Sequence, residues 1–411
     1  MTNYSPVILG GDYGAYSLAR AFHERYGVRS TVVSKMGAGA VGHSRIIDSV
    51  VMGAAFRDED ALLEKLLAIG VQSETAKTPR LLTGSADWLV RFIVRHRAEL
   101  NAAGFVIPYT DLEIMDRVVK KREFTALCQE LDIPHPTTVV HKVGEDDPTA
   151  AIDLEFPVVA KPGDSAAYNA VDFPGKHKVF IVPTVEHLAD VLTRVRDSGY
   201  RGDFILQERI PGPDSNLRML TLYVDQQGET TLVAMGQALL EDHSPTALGN
   251  PVAILTGMAD QAAIDHASRM LKHVGWRGYA NFDMKYHPQR DEYQFLELNP
   301  RLGRTHRYIT LAGQNPAEIY VADYLENRSL EPVLANEQRL YSTVPRGVIR
   351  KYVKDPELLA RANAVIKRHG MSNPISYLPT EWDPRRVFYV QAALFNQRRK
   401  FKRYFPVEQG G

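Results

Sequence analysis

Cysteine is nearly absent from this chain of 411 residues, in which Cys128 is the one example. An internal disulfide is therefore excluded, and the composition is typical of a protein from a reducing compartment. Cys128 lies in a helical pattern, and no histidine or asparagine partner for it is evident in the sequence. We interpret it as a small helix residue rather than as a catalytic nucleophile.

Long apolar runs and an excess of one charge are missing as well. No run of about 18 apolar residues occurs, and no basic region followed by an apolar core opens the chain, so we predict neither a transmembrane helix nor a signal peptide. Lys plus Arg and Asp plus Glu both total 49, which gives a formal net charge of zero. No whole-molecule field attracts nucleic acid. We expect a cytoplasmic protein without a nucleic-acid partner.

The chain is long enough for two or three domains, and its 44% of hydrophobic residues is ordinary for a globular protein. It opens with an apolar strand, Pro6 to Leu9, a glycine-rich turn, Gly10 to Gly14, a helical pattern and a second strand, Arg29 to Val33. This order predicts a doubly wound α/β domain. A dinucleotide site is rejected because the glycine pattern is incomplete and Ser34-Lys35 stands where an acidic residue would bind ribose.

The stretch from Asn281 to Arg307 organises the rest of the chain. Two runs of strand-forming residues flank the polar segment from Pro288 to Glu292, which predicts a β-hairpin. A hairpin centred near Arg290 pairs side chains of like character, namely Phe282 with Leu298, Met284 with Leu296, and Asp283 with Glu297.

Asp283, Glu297 and Asn299 should share one face of this hairpin because side chains alternate along a strand. Opposed carboxylates lie roughly 5 Å apart and repel each other unless a cation lies between them. Oxygen ligands without Cys or His suit Mg²⁺ or Mn²⁺, which commonly take substrate phosphates as further ligands. A solvated polar face is the alternative, but the cations that follow at 301, 304, 306 and 307 favour anion binding. A nucleotide is therefore the expected partner.

The residues F-D-M-K at 282–285 and F-L-E-L-N-P-R at 295–301 resemble the metal-binding signature of the ATP-grasp superfamily. With the rest of the chain, they most resemble the carboxylate–amine ligases typified by the D-aspartate ligase of peptidoglycan bridge synthesis. The resemblance implies α/β and α+β architecture, an ATP-grasp fold behind the doubly wound domain. It divides the chain into an N-terminal domain (1–115), two ATP-grasp lobes (116–205 and 206–330) and a C-terminal extension with a basic helix (331–411).

Residues that would bind ATP follow from the same resemblance. Lys121, in a predicted helix from Asp116 to Asp132, and Lys161, after a buried strand, would contact the phosphates, although a lysine pair at 120–121 could simply solvate a helix end. Burying a lysine such as Lys161 is costly unless its ammonium group meets an anion or solvent. The small residues from Gly163 to Ala170 would form a mobile flap over the phosphates.

The segment F-I-L-Q-E-R-I-P-G-P-D at 204–214 resembles the linker that holds adenine in ATP-grasp proteins. The resemblance implies adenine contacts from Gln207, the Glu208 carbonyl and the Ile210 amide, and ribose contacts from Asp214. It also implies that a substrate carboxylate becomes an acyl phosphate, which an amine then converts to an amide. Arg301 and Lys161 would be catalytic, with Arg301 stabilising the developing charge.

We predict a small carboxylic or amino acid as donor, with aspartate, in its D-form, as the specific hypothesis, and an amine of a UDP-linked muropeptide as acceptor. The substrate candidates are Arg218, Arg304, His306 and Arg307. Another acid or nucleophile, a carboxylase, or a nucleotide sensor without turnover are the alternatives, and the intact metal and lysine positions argue against the sensor.

The last predicted helix, from about Arg385 to Tyr404, carries seven cations and no acidic residue. Charge of one sign raises the chance of an anionic partner, for which the pyrophosphate of the acceptor is one candidate. Solvent or another subunit is the alternative, so a homo-oligomer is left open.

Overall fold

The computed structural model describes residues 4–71, 78–150, 152–164, 167–168, 170–245 and 247–405. Its first sheet contains the strands β1 (Val7–Leu9), β2 (Ser30–Ser34), β3 (Ile47–Val51), β4 (Arg80–Gly84) and β5 (Phe105–Val106). All are parallel, in the order β3-β2-β1-β4-β5. The order reverses between β1 and β4, and ligands of such sheets bind outside the carboxyl ends of the strands at that point. The expected doubly wound opening is confirmed.

The chain between these strands forms the helices α1 (Tyr13–Tyr26), α2 (Glu59–Val71), α3 (Asp87–Arg95) and α4 (Arg97–Ala102). The Asp12 carboxylate accepts a hydrogen bond from the Ala15 amide at 3.0 Å, which caps the start of α1. The helix ends at Gly27, whose φ of 67° favours glycine. This cap places Tyr13 at the mouth of the β1–β4 crevice.

A smaller sheet follows, made of the antiparallel strands β6 (Thr138–Lys142), β7 (Val158–Pro162), β8 (Phe180–Val182) and β9 (Asp203–Glu208). Its order is β6-β9-β7-β8, and α7 (Val185–Asp197) packs against it. Two helices precede it, α5 (Leu112–Val119) and α6 (Lys121–Glu130).

The predicted single helix from Asp116 to Asp132 is wrong. The chain breaks at Lys120, whose ψ of 124° is extended. The break follows the point where the chain passes from the core of the first domain, which buries Met115, to that of the large sheet, which buries Val118 and Phe124. The break makes Lys121 the first residue of α6.

The largest sheet contains β10 (Leu217–Val224), β11 (Thr230–Asp242), β12 (Asn250–Met258), β13 (Gly278–His287), β14 (Glu292–Asn299), β15 (Val333–Ala335) and β16 (Leu340–Ser342). The order is β14-β13-β10-β11-β12-β16, with β15 paired to β11. Because β15 and β16 come from beyond residue 330, the predicted C-terminal extension contributes strands to the preceding lobe. The domain boundaries proposed from the sequence stay a prediction.

The two faces of this sheet have different neighbours. Three helices, α8 (Gln261–Val274), α9 (Arg307–Leu311) and α10 (Pro316–Tyr320), pack on it. Leu220 and Met284 belong to the core that includes α8, whereas Met219 and Tyr279 belong to the core that includes α9 and α10. Asp283 pairs with Met219 across β13 and β10, so it lies on the second face, toward the first domain.

The tail folds into α11 (Arg346–Tyr352), α12 (Pro356–His369) and α13 (Pro384–Tyr404), and the last of these confirms the predicted basic helix. The buried Glu381 ties α13 to the first domain: it accepts hydrogen bonds from the Tyr16 and Ser44 hydroxyls and lies 3.2 Å from Nε of Arg386. Within the part of the chain that the structure describes, no helix is long and apolar enough to cross a membrane.

Candidate active site

The hairpin of β13 and β14 has the predicted register at its open end. Phe282 lies opposite Leu298, and Asp283 lies opposite Glu297. Beyond Asp283 the register shifts, so Met284 lies opposite Phe295 and the predicted pairing with Leu296 is wrong. The irregularity is typical of a β-bulge, a feature that re-aims side chains beside active sites.

The bulge lets Phe295 rather than Leu296 fill the core. The Phe295 ring packs edge-on against Phe282, with ring centroids 5.4 Å apart, while Leu296 stays partly exposed. Because the shift falls after Asp283, the acidic pair keeps its common face.

The three predicted metal ligands lie together on this face. The Asn299 amide nitrogen donates to Asp283 Oδ2 at 3.2 Å. Burial and the neighbouring Glu297 raise the pKa of Asp283 above its ordinary value. Burial also opposes ionisation of Glu297, but Lys121 and Lys161 outweigh burial and hold its pKa low. A second negative charge at Asp283 therefore needs a cation, and two carboxylates beside an amide suit Mg²⁺ or Mn²⁺.

Ammonium groups face the two carboxylates from the smaller lobe. Nζ of Lys121, at the start of α6, lies 3.8 Å from Glu297 Oε2. Burial and the nearby Lys121 lower the pKa of Lys161, on β7, to about 7. Lys178, which is exposed and was not predicted, adds a third positive charge that also lowers the pKa of Lys161. This arrangement of charges suits a polyphosphate that carries a divalent cation.

Arg301 connects the metal face to the first domain. Its Nη2 donates to Asn299 Oδ1 at 3.5 Å, and its Nε lies 2.8 Å from Asp87 Oδ1. Burial opposes its charge, but Asp87 and Asp12 keep its pKa above the ordinary value. Since Asp87 begins α3 just after β4, the guanidinium group lies between the metal ligands and the switch-point crevice.

A chain of hydrogen bonds that the sequence did not predict supports Asp283 from behind. The Tyr308 hydroxyl donates to Thr221 Oγ1 at 2.8 Å, and Thr221 donates to Asn281 Oδ1 at 2.9 Å. The Asn281 amide nitrogen then lies 3.3 Å from Asp283 Oδ1. Gly303 is required beside it, because a Cβ there would lie 2.9 Å from Asn281 Oδ1.

The predicted adenine linker leaves β9 and passes to β10. Gln207 Nε2 donates to Thr138 Oγ1 at 3.0 Å, and the Glu208 carboxylate pairs with Arg290 at 2.7 Å, so both side chains hold the linker rather than point outward. Ile210 is buried. The Glu208 amide donates to the Thr137 carbonyl at 2.9 Å, so the predicted contacts would fall to the Glu208 carbonyl and the Ile210 amide.

Asp214 lies in a polar cluster at the far end of the same face. It accepts hydrogen bonds from His243 Nε2 at 2.9 Å and from the Glu241 amide at 3.0 Å. Burial and Asp214 raise the pKa of Glu241 to about 7. Burial lowers the pKa of Lys285, whose charge Glu241 and Asp214 favour. Lys285 follows Asp283 by two residues, and that spacing could have identified it; Glu241 and His243 carried no such signal.

The four substrate candidates have different surroundings. Arg218 pairs with Met284, on the sheet face opposite Asp283, and its guanidinium group donates to the Leu217 carbonyl at 3.1 Å. Arg307 is buried in an ion pair with Glu24, with Nη2 2.8 Å from Oε1. The structure does not bring these two arginines to the metal face.

Arg304 and His306 lie at the crevice between β1 and β4. Arg304 is exposed, with its guanidinium carbon 4.8 Å from the centre of the Tyr13 ring. His306 is buried beneath it, and burial lowers its pKa to about 4, so it is neutral. Its Nδ1 lies 2.9 Å from the Gly303 carbonyl. A cavity of about 10 Å³ that His306 lines together with Gly14 and Ser85 shows that this loop abuts the crevice.

The predicted flap from Gly163 to Ala170 falls partly outside the described residues, because 165, 166 and 169 are not among them. At its start, the Gly163 amide donates to the Asp203 carbonyl at 2.7 Å.

Comparison with known proteins identifies relatives of both the sequence and the fold. Residues 220–312 match the family model "Carbamoyl-phosphate synthase L chain, ATP binding domain". D-aspartate ligase of Enterococcus faecium (strain Aus0004) is 30% identical over 99% of this chain and 98% of that protein. The match therefore extends over the first domain and the tail as well as the hairpin.

Solved structures resemble the fold at low sequence identity. The L-amino acid ligase from Bacillus licheniformis aligns with a TM-score of 0.57 and 15% identity, over 79% of this chain and 74% of that chain. The biotin carboxylase domain of 2-oxoglutarate carboxylase from Hydrogenobacter thermophilus, solved with MgADP and bicarbonate, aligns with a TM-score of 0.61 and 12% identity, over 82% and 73% of the two chains. These likenesses bear on the fold alone.

Proposed function

Because the chain belongs to the ATP-grasp carboxylate–amine ligases, the family of D-aspartate ligase, we propose that it joins D-aspartate to an amine of a peptidoglycan precursor. The enzyme is an ATP-dependent ligase that forms carbon–nitrogen bonds. The observation that carries the choice of substrate is the 30% identity to D-aspartate ligase over nearly the full length of both chains. An exposed cation at the crevice, Arg304, supports it.

The proposed nucleotide is ATP, bound between the smaller lobe and the large sheet. Lys121 and Lys161 bind its phosphates, the main chain of Glu208 and Ile210 binds adenine, and Asp214 binds ribose. ATP-grasp enzymes use ATP with Mg²⁺, and here Asp283, Glu297 and Asn299 would hold the ion, which neutralises charge on the terminal phosphates. The fit rests on the oxygen-only ligand set and on the raised pKa of Asp283, which marks a charge without its counterion.

The residues of this chain then orient and neutralise the reactants. The donor carboxylate attacks the γ-phosphorus and ADP leaves, while Lys161 compensates phosphate charge and Arg301 stabilises the acyl phosphate that forms. The amine attacks the acyl carbon, inorganic phosphate leaves, and an amide and ADP are the products. Arg301 suits this role because it contacts both Asn299 and Asp87, which places its charge between the metal face and the donor crevice.

Arg304 supports a donor with a second carboxylate. Of the three arginines in the segment from 301 to 307, Arg301 is paired with Asp87 and Arg307 with Glu24, whereas Arg304 has a contact with the Tyr13 ring but no ion pair among the described residues. An exposed guanidinium group can bind a carboxylate through two parallel hydrogen bonds. We place Arg304 against the α-carboxylate of the donor, with the neutral His306 packed behind it.

The test is ADP release with product mass, measured with UDP-linked muramyl pentapeptide and with D-aspartate, L-aspartate, D-glutamate, D-alanine or bicarbonate. D-Aspartate is expected to give the largest rate and an adduct heavier by one aspartyl residue. Arg304→Ala should raise KM for the donor on the order of 10- to 100-fold, whereas the matched surface change Arg328→Ala should leave it unchanged. Asp283→Asn should abolish Mg²⁺-dependent ADP release.

The possible outcomes test the substrate and the ligase chemistry separately. Turnover of another acid without an aspartate adduct would refute the substrate and leave the ligase chemistry. Absence of ADP release with every acid would favour a nucleotide sensor. Thermal unfolding adds a second measurement, in which Mg·ATP should protect the protein and NAD should not.

A further inference from the structure

Helix α13 presents to solvent a face that carries cations and aromatic rings and no acidic residue. From Arg385 onward, seven exposed side chains fall within an arc of about 100° at 3.6 residues per turn, and they define the outer face of α13: Arg385, Phe388, Ala392, Phe395, Arg399, Lys402 and Arg403. Phe388 is 75% exposed and Phe395 is 60% exposed. Two phenyl rings this open on one helix face are not explained by packing within the chain.

The inner face of α13 already accounts for how the helix is held. Arg386 is buried beside Glu381, and Nζ of Lys400 lies 3.0 Å from Asp242 Oδ2. Val390 and Phe401 are buried on the same side. The cations of the outer face have no ion pair among the described residues, so the fold does not use them. From Arg385 to Lys402 this face extends about 25 Å at 1.5 Å per residue.

We propose that the outer face of α13 binds the surface of a membrane that contains anionic phospholipids. Lys and Arg near such a surface are attracted to its headgroups, and the attraction fades within a Debye length. Exposed aromatic rings on the same face can enter the boundary between headgroups and acyl chains, while long cationic side chains extend back to the phosphates. Because the chain has no net charge, attraction to an anionic surface must come from a local patch such as this one.

Other occupants fit the outer face less well. A second copy in a two-fold contact would set cations against cations. A single nucleic-acid strand stacks its bases on rings inside a basic groove, whereas these rings project from one convex helix. A flat anionic surface is complementary to both the charge and the open rings.

The position of α13 gives this surface a relation to the candidate active site. Tyr389 follows Phe388, and its hydroxyl lies 3.7 Å from where a Cβ on Gly39 would be, at the carboxyl side of β2. After the helix, the Phe405 ring lies 4.8 Å from that of His243, beside Asp214. A membrane under the outer face would therefore run alongside both ends of the site.

The test is co-sedimentation of the full chain with vesicles of phosphatidylcholine alone or with one third phosphatidylglycerol. We expect binding to the anionic vesicles, weakened by 0.5 M salt, and little binding to the neutral ones. The triple change Arg385→Gln, Arg399→Gln and Lys402→Gln should weaken binding on the order of a hundredfold. Phe388→Ser with Phe395→Ser should weaken it at least tenfold. The matched control Lys65→Gln, Arg117→Gln and Lys272→Gln removes three exposed charges elsewhere and should bind as the parent does.

Several results would overturn the proposal. One is the absence of binding to anionic vesicles at low salt, and another is equal loss in the control and test triplets. Tight binding of an oligonucleotide without vesicle binding would assign the face to nucleic acid. A triple variant that still co-sediments with anionic vesicles as the parent does, but has a raised KM for the UDP-linked acceptor, would assign the outer face to that substrate. Unchanged melting temperatures are required of all variants, which the exposed positions make achievable.

Discussion

Replacing Lys161 with methionine is expected to stabilise the nucleotide-free protein while removing its response to Mg·ATP. Burial and Lys121 lower the pKa of Lys161 from 10.5 to about 7. At about 1.4 kcal/mol per pKa unit, holding this ammonium group charged in the folded state costs at most about 5 kcal/mol. The Lys161 side chain is partly exposed at the cleft, and solvent there should keep the measured cost below this upper bound.

The sign of the pH dependence follows from this pKa. The folded value lies below the unfolded one, so the unfolded chain binds more protons between about pH 7 and 10, and stability rises with pH in that window. The cost of Lys161 is fully present below pH 7. Methionine should therefore increase the free energy of unfolding more at pH 6.5 than at pH 9.

Urea unfolding at these two pH values measures the effect, with Lys142→Met as the matched control. Lys142 lies at the exposed end of β6 in the same sheet, and its replacement should change stability by less than about 0.5 kcal/mol. Calorimetric titration with a non-hydrolysable ATP analogue should show the affinity lost at Lys161. A nucleotide-free Lys161→Met protein that is less stable than its parent at pH 6.5 would refute the reasoning, because attraction to Glu297 would then outweigh burial.

Two further predictions concern the metal face. Asn281→Ala should raise the Mg²⁺ concentration needed for half-maximal ADP release about 10- to 100-fold, because residues behind a metal ligand orient that ligand. Thr221→Ser keeps the hydroxyl group and should change this concentration little. An equal effect of the two substitutions would contradict the hydrogen-bond chain. Metal and nucleotide should each increase the affinity for the other by fivefold or more, because the phosphates are expected to replace Glu297 beside Lys121 and the metal ion to replace Lys121 beside Glu297. The dissociation constant of ADP, with and without Mg²⁺, measures this coupling, and independent binding would contradict it.

Short-range regularities of the sequence were enough for the parts of the site that lie on single elements. Alternation along β13 and β14 predicted that Asp283, Glu297 and Asn299 share a face, and the hairpin register places Asp283 opposite Glu297. The order of strand, glycine-rich turn and helix predicted the parallel opening of the first sheet. Neighbours in sequence determine such features, since strand periodicity and turn chemistry act over a few residues.

Features that depend on distant partners were beyond that reasoning. Arg307 looked like an anion ligand, but its partner Glu24 lies 283 positions away in the sequence. Asn281 looked like an ordinary strand residue, and its role depends on Thr221 and Tyr308, which come from another strand and a later helix. The break at Lys120 likewise lies where the chain passes from the core that buries Met115 to the one that buries Phe124, and no helical pattern within one segment reveals it.

The electrostatics of the candidate site explain why metal and nucleotide should bind together. In the free protein, Lys121 lies beside Glu297, and Asp283 shares hydrogen bonds with Asn281 and Asn299. A metal ion alone would bring a second positive charge among ammonium groups whose pKa values burial already lowers, and a polyphosphate alone would bring negative charge against two carboxylates. When both enter, each ligand pairs with the protein charges that the other repels. The opposed lysines and carboxylates therefore favour the complex of metal and nucleotide over either partner by itself.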